Sequence, residues 1–279
     1  MIRDITIGQY YPADSVIHRL DPRTKLIGTL IYIISLFCFR SLWGYIAVIL
    51  FFGIILKLSK VPFRFVVRGL KPILFLLVFT AALNLLWTPG HVIWKWGILY
   101  ISWEGLHKSV FMALRLLFLV IGSSLLTLTT TPNQLTDAIE TVLEPLKRFH
   151  VPVHEVAMMM SIALRFIPIL LEETDKIMKA QMSRGADFET GNLIQRLRNM
   201  LPLLVPLFVS ASRRANELAY AMDARCYHGG EGRTKMKPLK YKKQDLGGYG
   251  VVAVYVIVLF AIAKFSSYVP FSWVSLVQK

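Results

Sequence analysis

Long uncharged apolar runs set the first constraint on this chain. A helix of roughly 20 apolar residues crosses the hydrocarbon core of a bilayer. Apolar runs lie at residues 26–39, 42–56, 72–87, 109–128 and 247–263. Hydrophobic residues make up 55% of the sequence, against about 45–50% in a soluble domain. The excess sits in these runs, so the chain reads as an all-α integral membrane protein with about five transmembrane helices. Only Arg40 and Ser41 part the first two runs, which predicts a tight hairpin. Both fall short of a full span, so their ends must reach into the interface or thin the bilayer.

Charge placement sets the orientation. Lys57, Lys60, Arg64, Arg68 and Lys71 follow the second run in what reads as a short loop, and such a cluster marks the cytoplasmic side. Arg19, Arg23 and Lys25 put the N-terminal segment, residues 1–25, on that side too. This segment carries no apolar stretch with a cleavage site, so no secretory signal is expected. Five spans then leave the C-terminus outside, in a multi-pass protein of the cell membrane. The exit of the third run carries Trp87, Trp94, Trp96 and Trp103 as an interfacial aromatic belt. Arg115, inside the fourth run, is expected to snorkel or to face protein. The net charge of +15 invites a nucleic-acid reading, but the cations cluster beside apolar runs, where they meet the lipid membrane. No nucleic-acid partner is expected.

Residues 26–128 thus hold the first four transmembrane helices, and residues 246–279 hold the last one and the tail. Residues 129–245, between them, are charged throughout with helical periodicity. They read as a cytoplasmic domain of three long amphipathic helices, at about 132–149, 153–184 and 193–225. Thr130-Thr131-Pro132 opens the first, with proline where a helix start tolerates it. Val151-Pro152 separates it from the second. Pro168, and Pro202 with Pro206, are expected to bend the second and third.

No catalytic chemistry is legible. Cys38 and Cys226 lie far apart, and the six histidines have no ligand spacing. Gly229–Lys235 lacks the Gly-Lys-Ser/Thr ending of a phosphate loop. No catalytic, cofactor-binding or metal-binding residue is expected, and no cofactor. What stands out is the pair of helix ends. One reads Ser183-Arg184-Gly185 and the other Ala224-Arg225-Cys226. Each sets an arginine between a small residue and a turn, where a cation complements the helix dipole and its planar donor fork suits a partner carboxylate.

These endings, with the opening Ser15–Leu26 (SVIHRLDPRTKL), Thr130-Thr131-Pro132 and Ala163–Pro168 (ALRFIP), resemble the transmembrane T component of energy-coupling factor (ECF) transporters, the EcfT family, along nearly the whole chain. Cys226 stands where the second Ala-Arg-Gly motif of the family has glycine. The resemblance implies a non-enzymatic subunit of an ECF-type ABC importer for vitamins or metal ions, whose amphipathic helices act as coupling helices. Its partners would be two ABC-type ATPase subunits (EcfA-type) and interchangeable membrane-embedded S components that bind the cargo. Ser183, Arg184, Gly185, Ala224, Arg225 and Cys226 would meet the ATPases. Two adaptable apolar faces would meet an S component: Met158, Met159, Met160, Leu164 and Ile167 on the second helix, and Leu203, Leu204, Leu207 and Phe208 on the third.

Two other readings are weighed beside this one. A conventional ABC-transporter permease would carry a coupling segment of two short helices between spans. A membrane-embedded isoprenoid transferase would need acidic metal-binding clusters beside the spans, whereas residues 1–128 hold only Asp4, Asp14, Asp21 and Glu104.

Overall fold

In the computed structural model the described residues are 10–38, 42–96, 99–188, 192–230, 236 and 238–268. The Arg40-Ser41 connection, most of Gly229–Lys235 and the end of the C-terminal tail lie outside them, as do residues 1–9. Ten α-helices carry the described chain: α1 (Val16–Arg19), α2 (Pro22–Cys38), α3 (Leu42–Ser59), α4 (Phe63–Leu70), α5 (Leu74–Trp87), α6 (Trp103–Thr129), α7 (Pro132–Leu143), α8 (Val153–Ser183), α9 (Leu193–Asp223) and α10 (Lys243–Tyr268). They fall into two compact units, one between residues 139 and 238, the other between 8 and 138 together with the residues after 239.

Four described helical stretches are long and apolar enough to cross a membrane: Phe63–Trp87, Trp103–Thr129, Val153–Ser183 and Lys243–Ile262. The α2 and α3 helices have 17 and 18 residues. The reading of Lys57–Lys71 as a loop is corrected. Its cations mask an apolar pattern at Phe63, Val66, Val67 and Leu70, which folds as α4 with Val66 fully buried. A 3-10 turn, Lys71–Ile73, joins α4 to α5 around Pro72, which has no amide hydrogen to donate. The Trp-rich stretch after α5 contains a short antiparallel hairpin, β1 (Val92–Trp96) with β2 (Leu99–Ser102). Ser102 closes it twice. Its Oγ donates to the Thr88 carbonyl at 2.7 Å and accepts from the Gly105 amide at 3.0 Å, capping α6.

The larger unit packs α2, α3, α6 and α10 around an aromatic core. Tyr32, Leu36, Tyr45, Val48, Phe118 and Tyr255 are all buried in it. Phe51 stacks on Tyr255 with ring centroids 4.1 Å apart. Hydroxyls inside an apolar core need acceptors. Tyr32 donates to the Phe118 carbonyl at 3.0 Å, and the Tyr255 hydroxyl lies 2.9 Å from Ser35 Oγ. Glycine at 122 makes room for this, since a Cβ there would collide with the Tyr32 ring.

The first expected long helix is shorter than its periodicity suggests. It stops at Leu143 and continues as a 3-10 turn, Glu144–Phe149. Pro145 is the reason, because it withholds the donor that another α turn needs. Both α8 and α9 are 31 residues long and run through Pro168, and through Pro202 and Pro206.

Candidate coupling surface

The two arginine-bearing helix ends share one backbone design. At the end of α8 the Gly185 amide donates to the Met182 carbonyl and the Ala186 amide to the Gln181 carbonyl, both at 3.0 Å. At the end of α9 the Cys226 amide donates to Asp223 at 2.9 Å and the Tyr227 amide to Met222 at 3.1 Å. Each is a Schellman closure, with the residue after the arginine in the left-handed region. Gly185 has φ +86 and Cys226 has φ +56. Cys226 therefore makes the same turn as the glycine, at the steric cost of a Cβ in that conformation.

This design decides where the arginines point. The closure ends each helix abruptly and leaves Arg184 and Arg225 exposed at its carboxyl end. Ser183, Gly185, Ala224 and Cys226 are exposed around them, and the Ser183 hydroxyl folds back onto the Lys179 carbonyl at 3.0 Å. Among the described residues neither guanidinium has a hydrogen-bond or ion-pair partner. Each is a donor fork at the negative end of a helix dipole, free to take a carboxylate.

The two helices run antiparallel. Arg214 of α9 donates to Glu173 of α8 at 3.1 Å, and Gln181 of α8 donates to the Pro202 carbonyl of α9 at 3.3 Å. The second bond follows from the sequence. Pro206 cannot supply the amide that the Pro202 carbonyl would normally accept, and the Gln181 side chain takes the vacant place. In this pairing the two arginines lie at opposite ends of the helix pair. Eleven residues separate Glu173 from Arg184, and eleven separate Arg214 from Arg225.

The apolar faces divide by exposure. Met159, Met160 and Ile167 on α8, and Leu204 and Phe208 on α9, are exposed, Phe208 to 75%. Met158, Leu164 and Leu207 are half-buried, and Leu203 is buried. Leu203 therefore supports the helix from within, and Leu204 and Phe208 present the face.

A second polar cluster lies in the larger unit, where the opening motif folds. Asp21 accepts from Arg23 through the backbone amide at 2.9 Å, Nε at 3.0 Å and Nη2 at 2.9 Å. Burial alone would raise the Asp21 pKa, but these bonds and the nearby Lys25 outweigh it and hold the carboxyl below its usual range. The Arg23 guanidinium sits over the Tyr241 ring, 3.9 Å from its centroid. Asp245, which is 1% exposed, accepts from the Asp21 amide at 2.7 Å and the Lys242 amide at 2.6 Å. Lys25, one residue before the apolar run of α2, donates to the carbonyls of His18 at 3.2 Å and Thr129 at 2.9 Å. Burial pushes its pKa down to about 8. This cluster ties the start of α2, the end of α6 and the start of α10 together. Sequence reasoning left Asp245 unassigned; its signal was a carboxylate in the first turn of a helix, where it meets free amides.

A family model described as cobalt transport protein (CbiQ) matches residues 13–236. Several curated relatives carry the name energy-coupling factor transporter transmembrane protein EcfT. The relative from Ruminiclostridium cellulolyticum is 56% identical over 256 residues, covering 92% of this chain and 96% of the relative. That from Clostridium kluyveri is 58% identical over 247 residues, 88% and 92% of the two chains. That from Bacillus subtilis is 48% identical over 266 residues, 95% and 99% of the two.

Proposed function

The chain belongs to the CbiQ/EcfT family of transporter membrane proteins, and from that premise we propose that it couples two ABC-type ATPases to membrane-embedded S components for vitamin or metal-ion uptake. The observation that carries this reading is the repeated helix end. Two 31-residue helices stop on the same closure, each with an exposed arginine lacking a partner among the described residues. A lone helix-end cation is commonplace. Two in the same backbone setting, at opposite ends of one helix pair, suit two separate sockets, one on each ATPase.

In this reading, ATP-driven closure of the ATPases changes the separation of the sockets. The α8–α9 pair turns that change into sliding of its apolar faces, and the S component docked on Met159, Met160, Leu204 and Phe208 tilts. The same reading places residues 129–245 in the cytoplasm, the N-terminus inside and the C-terminus outside. The apolar first half of α8, long enough for a span by composition, then lies at the membrane boundary, where its charges at Glu155 and Arg165 reach water.

Charge reversal tests the sockets. Arg184→Glu and Arg225→Glu each weaken ATPase association, by about 2–4 kcal/mol for a desolvated interfacial arginine, and the double variant loses transport. A folded double variant that retains its ATPases and transports at the parental rate overturns the proposal.

A further inference from the structure

We propose that the larger unit holds a binding site for one acyl chain of an anionic membrane phospholipid, with the headgroup at Lys25. The inference rests on the membrane placement of α2, α3, α6 and α10, and not on the coupling role. A cavity of about 360 Å³ lies among these helices and α1, at the small end of the range for ligand pockets.

Its lining follows the direction of a lipid. On α2 it runs from Thr24 to Tyr32, and on α3 from Leu58 back to Phe51. On α6 it runs from Thr129 back to Gly122, and on α10 from Gln244 to Val252. Each helix thus contributes seven or eight residues of travel, about 10–12 Å at 1.5 Å per residue. Each starts from the same end, where the polar residues Lys25, Thr129 and Gln244 stand. The deep end is aromatic and aliphatic. Basic residues flank the polar end in sequence: Arg23 on α2, Lys57 and Lys60 around the end of α3, Lys242 before α10 and Lys243 at its start. An anionic headgroup is drawn to such a cluster.

Lys25 supplies the specific contact. It is 9% exposed, and its ammonium spends two of three hydrogens on carbonyls. The nearby carboxylates are engaged elsewhere, Asp21 by Arg23 and Asp245 by two backbone amides. No carboxylate is in ion-pair contact with Lys25 among the described residues. Asp21 and Asp245 act on the Lys25 ammonium only through space, without direct contact, and a lipid phosphate at the polar end would supply a direct ion pair. Gly247 lines the same cavity, and a Cβ there would have nothing within 4 Å.

The test is photolabelling of the full chain in nanodiscs that contain phosphatidylglycerol with a diazirine in its acyl chain, with peptide mapping of the adducts. Labelling is expected at Leu125 and Val251 above that at Phe75 and Phe79, the exposed lipid-facing residues of α5. Gly247→Leu fills the space and brings cavity labelling down to the α5 level, and Gly247→Ala leaves it in place. Lys25→Met abolishes the preference for phosphatidylglycerol over phosphatidylcholine bearing the same diazirine chain. Cavity labelling equal to that of α5, or unchanged in Gly247→Leu, overturns the site. Headgroup-independent labelling in the parent overturns the role of Lys25. Labelling by diazirine palmitate alone overturns the assignment to phospholipid.

Discussion

Glu173 and Arg214 join α8 to α9 through a 3.1 Å ion pair, and each lies eleven residues before the arginine that ends its own helix. At 1.5 Å per residue the two arginines stand about 16 Å from this bridge, in opposite directions. The bridge is therefore the midpoint of the α8–α9 pair.

In the proposed coupling role, a midpoint contact governs transmission more than assembly. Both side chains are partly exposed, so the bridge contributes on the order of 1 kcal/mol or less to stability. Glu173→Gln is expected to leave ATPase association within about twofold and to lower the amount of cargo moved per ATP hydrolysed. The exchanged pair, Glu173→Arg with Arg214→Glu, is expected to recover part of the loss. Transport and ATP hydrolysis measured on the same proteoliposomes check this. An unchanged ratio in Glu173→Gln would remove the bridge from the coupling path.

The closures at Gly185 and Cys226 respond with opposite signs. Cys226 holds a left-handed conformation that glycine adopts freely, a strain of about 1 kcal/mol or somewhat more. Part of the gain on relieving it is offset by the greater chain entropy of glycine. Cys226→Gly is expected to raise the thermal midpoint of the detergent-solubilised chain slightly, by roughly 0.5 kcal/mol in stability. Gly185→Ala is expected to lower it by about 1 kcal/mol, because its Cβ meets open space and only the backbone conformation resists. Shifts of the same sign in both would contradict the shared geometry.

How much of this was legible in the sequence follows the range of the interactions. The arginine ends were legible because a Schellman closure is local: a small residue, an arginine and a left-handed residue suffice. The apolar runs were legible because bilayer thickness fixes their length. The α4 helix was hidden because a cation count ignores the spacing of Phe63, Val66 and Leu70. The hairpin at Val92–Ser102 was hidden because tryptophans near an apolar run carry an equally good interfacial reading. The pairing of Glu173 with Arg214, and of Gln181 with the Pro202 carbonyl, depends on how two helices align. Neither partner alone carries that information. The same holds for Asp245, whose amide partner Asp21 lies 224 residues away in the chain.

Lys25 gives the fold an unusual pH response. Its pKa is about 8 in the folded chain against 10.5 unfolded. Between these values the unfolded state holds more protons, so this group's contribution to stability rises with pH, and its cost is fully present below pH 8. The neutral amine still has two hydrogens for the carbonyls of His18 and Thr129. Thermal midpoints of delipidated protein, with no phosphate at Lys25, taken at pH 7 and pH 9 are expected to fall less in the parent than in Lys25→Met, which has no such term. A parent that falls as much as the variant would place Lys25 in contact with water.

In the proposed mechanism one helix pair carries two separable surfaces, arginine ends for ATPases and apolar faces for S components. The direct measurement is the recovery of both partner classes from a single detergent extract, compared across two sets of variants. Met159→Glu and Leu204→Glu are expected to lose the S component and keep the ATPases, since a charge on a packed apolar face leaves the helix ends untouched. Arg184→Glu with Arg225→Glu is expected to lose the ATPases first. Equal loss of both partners in every variant, or undiminished S-component recovery with Met159→Glu and Leu204→Glu, would contradict the account.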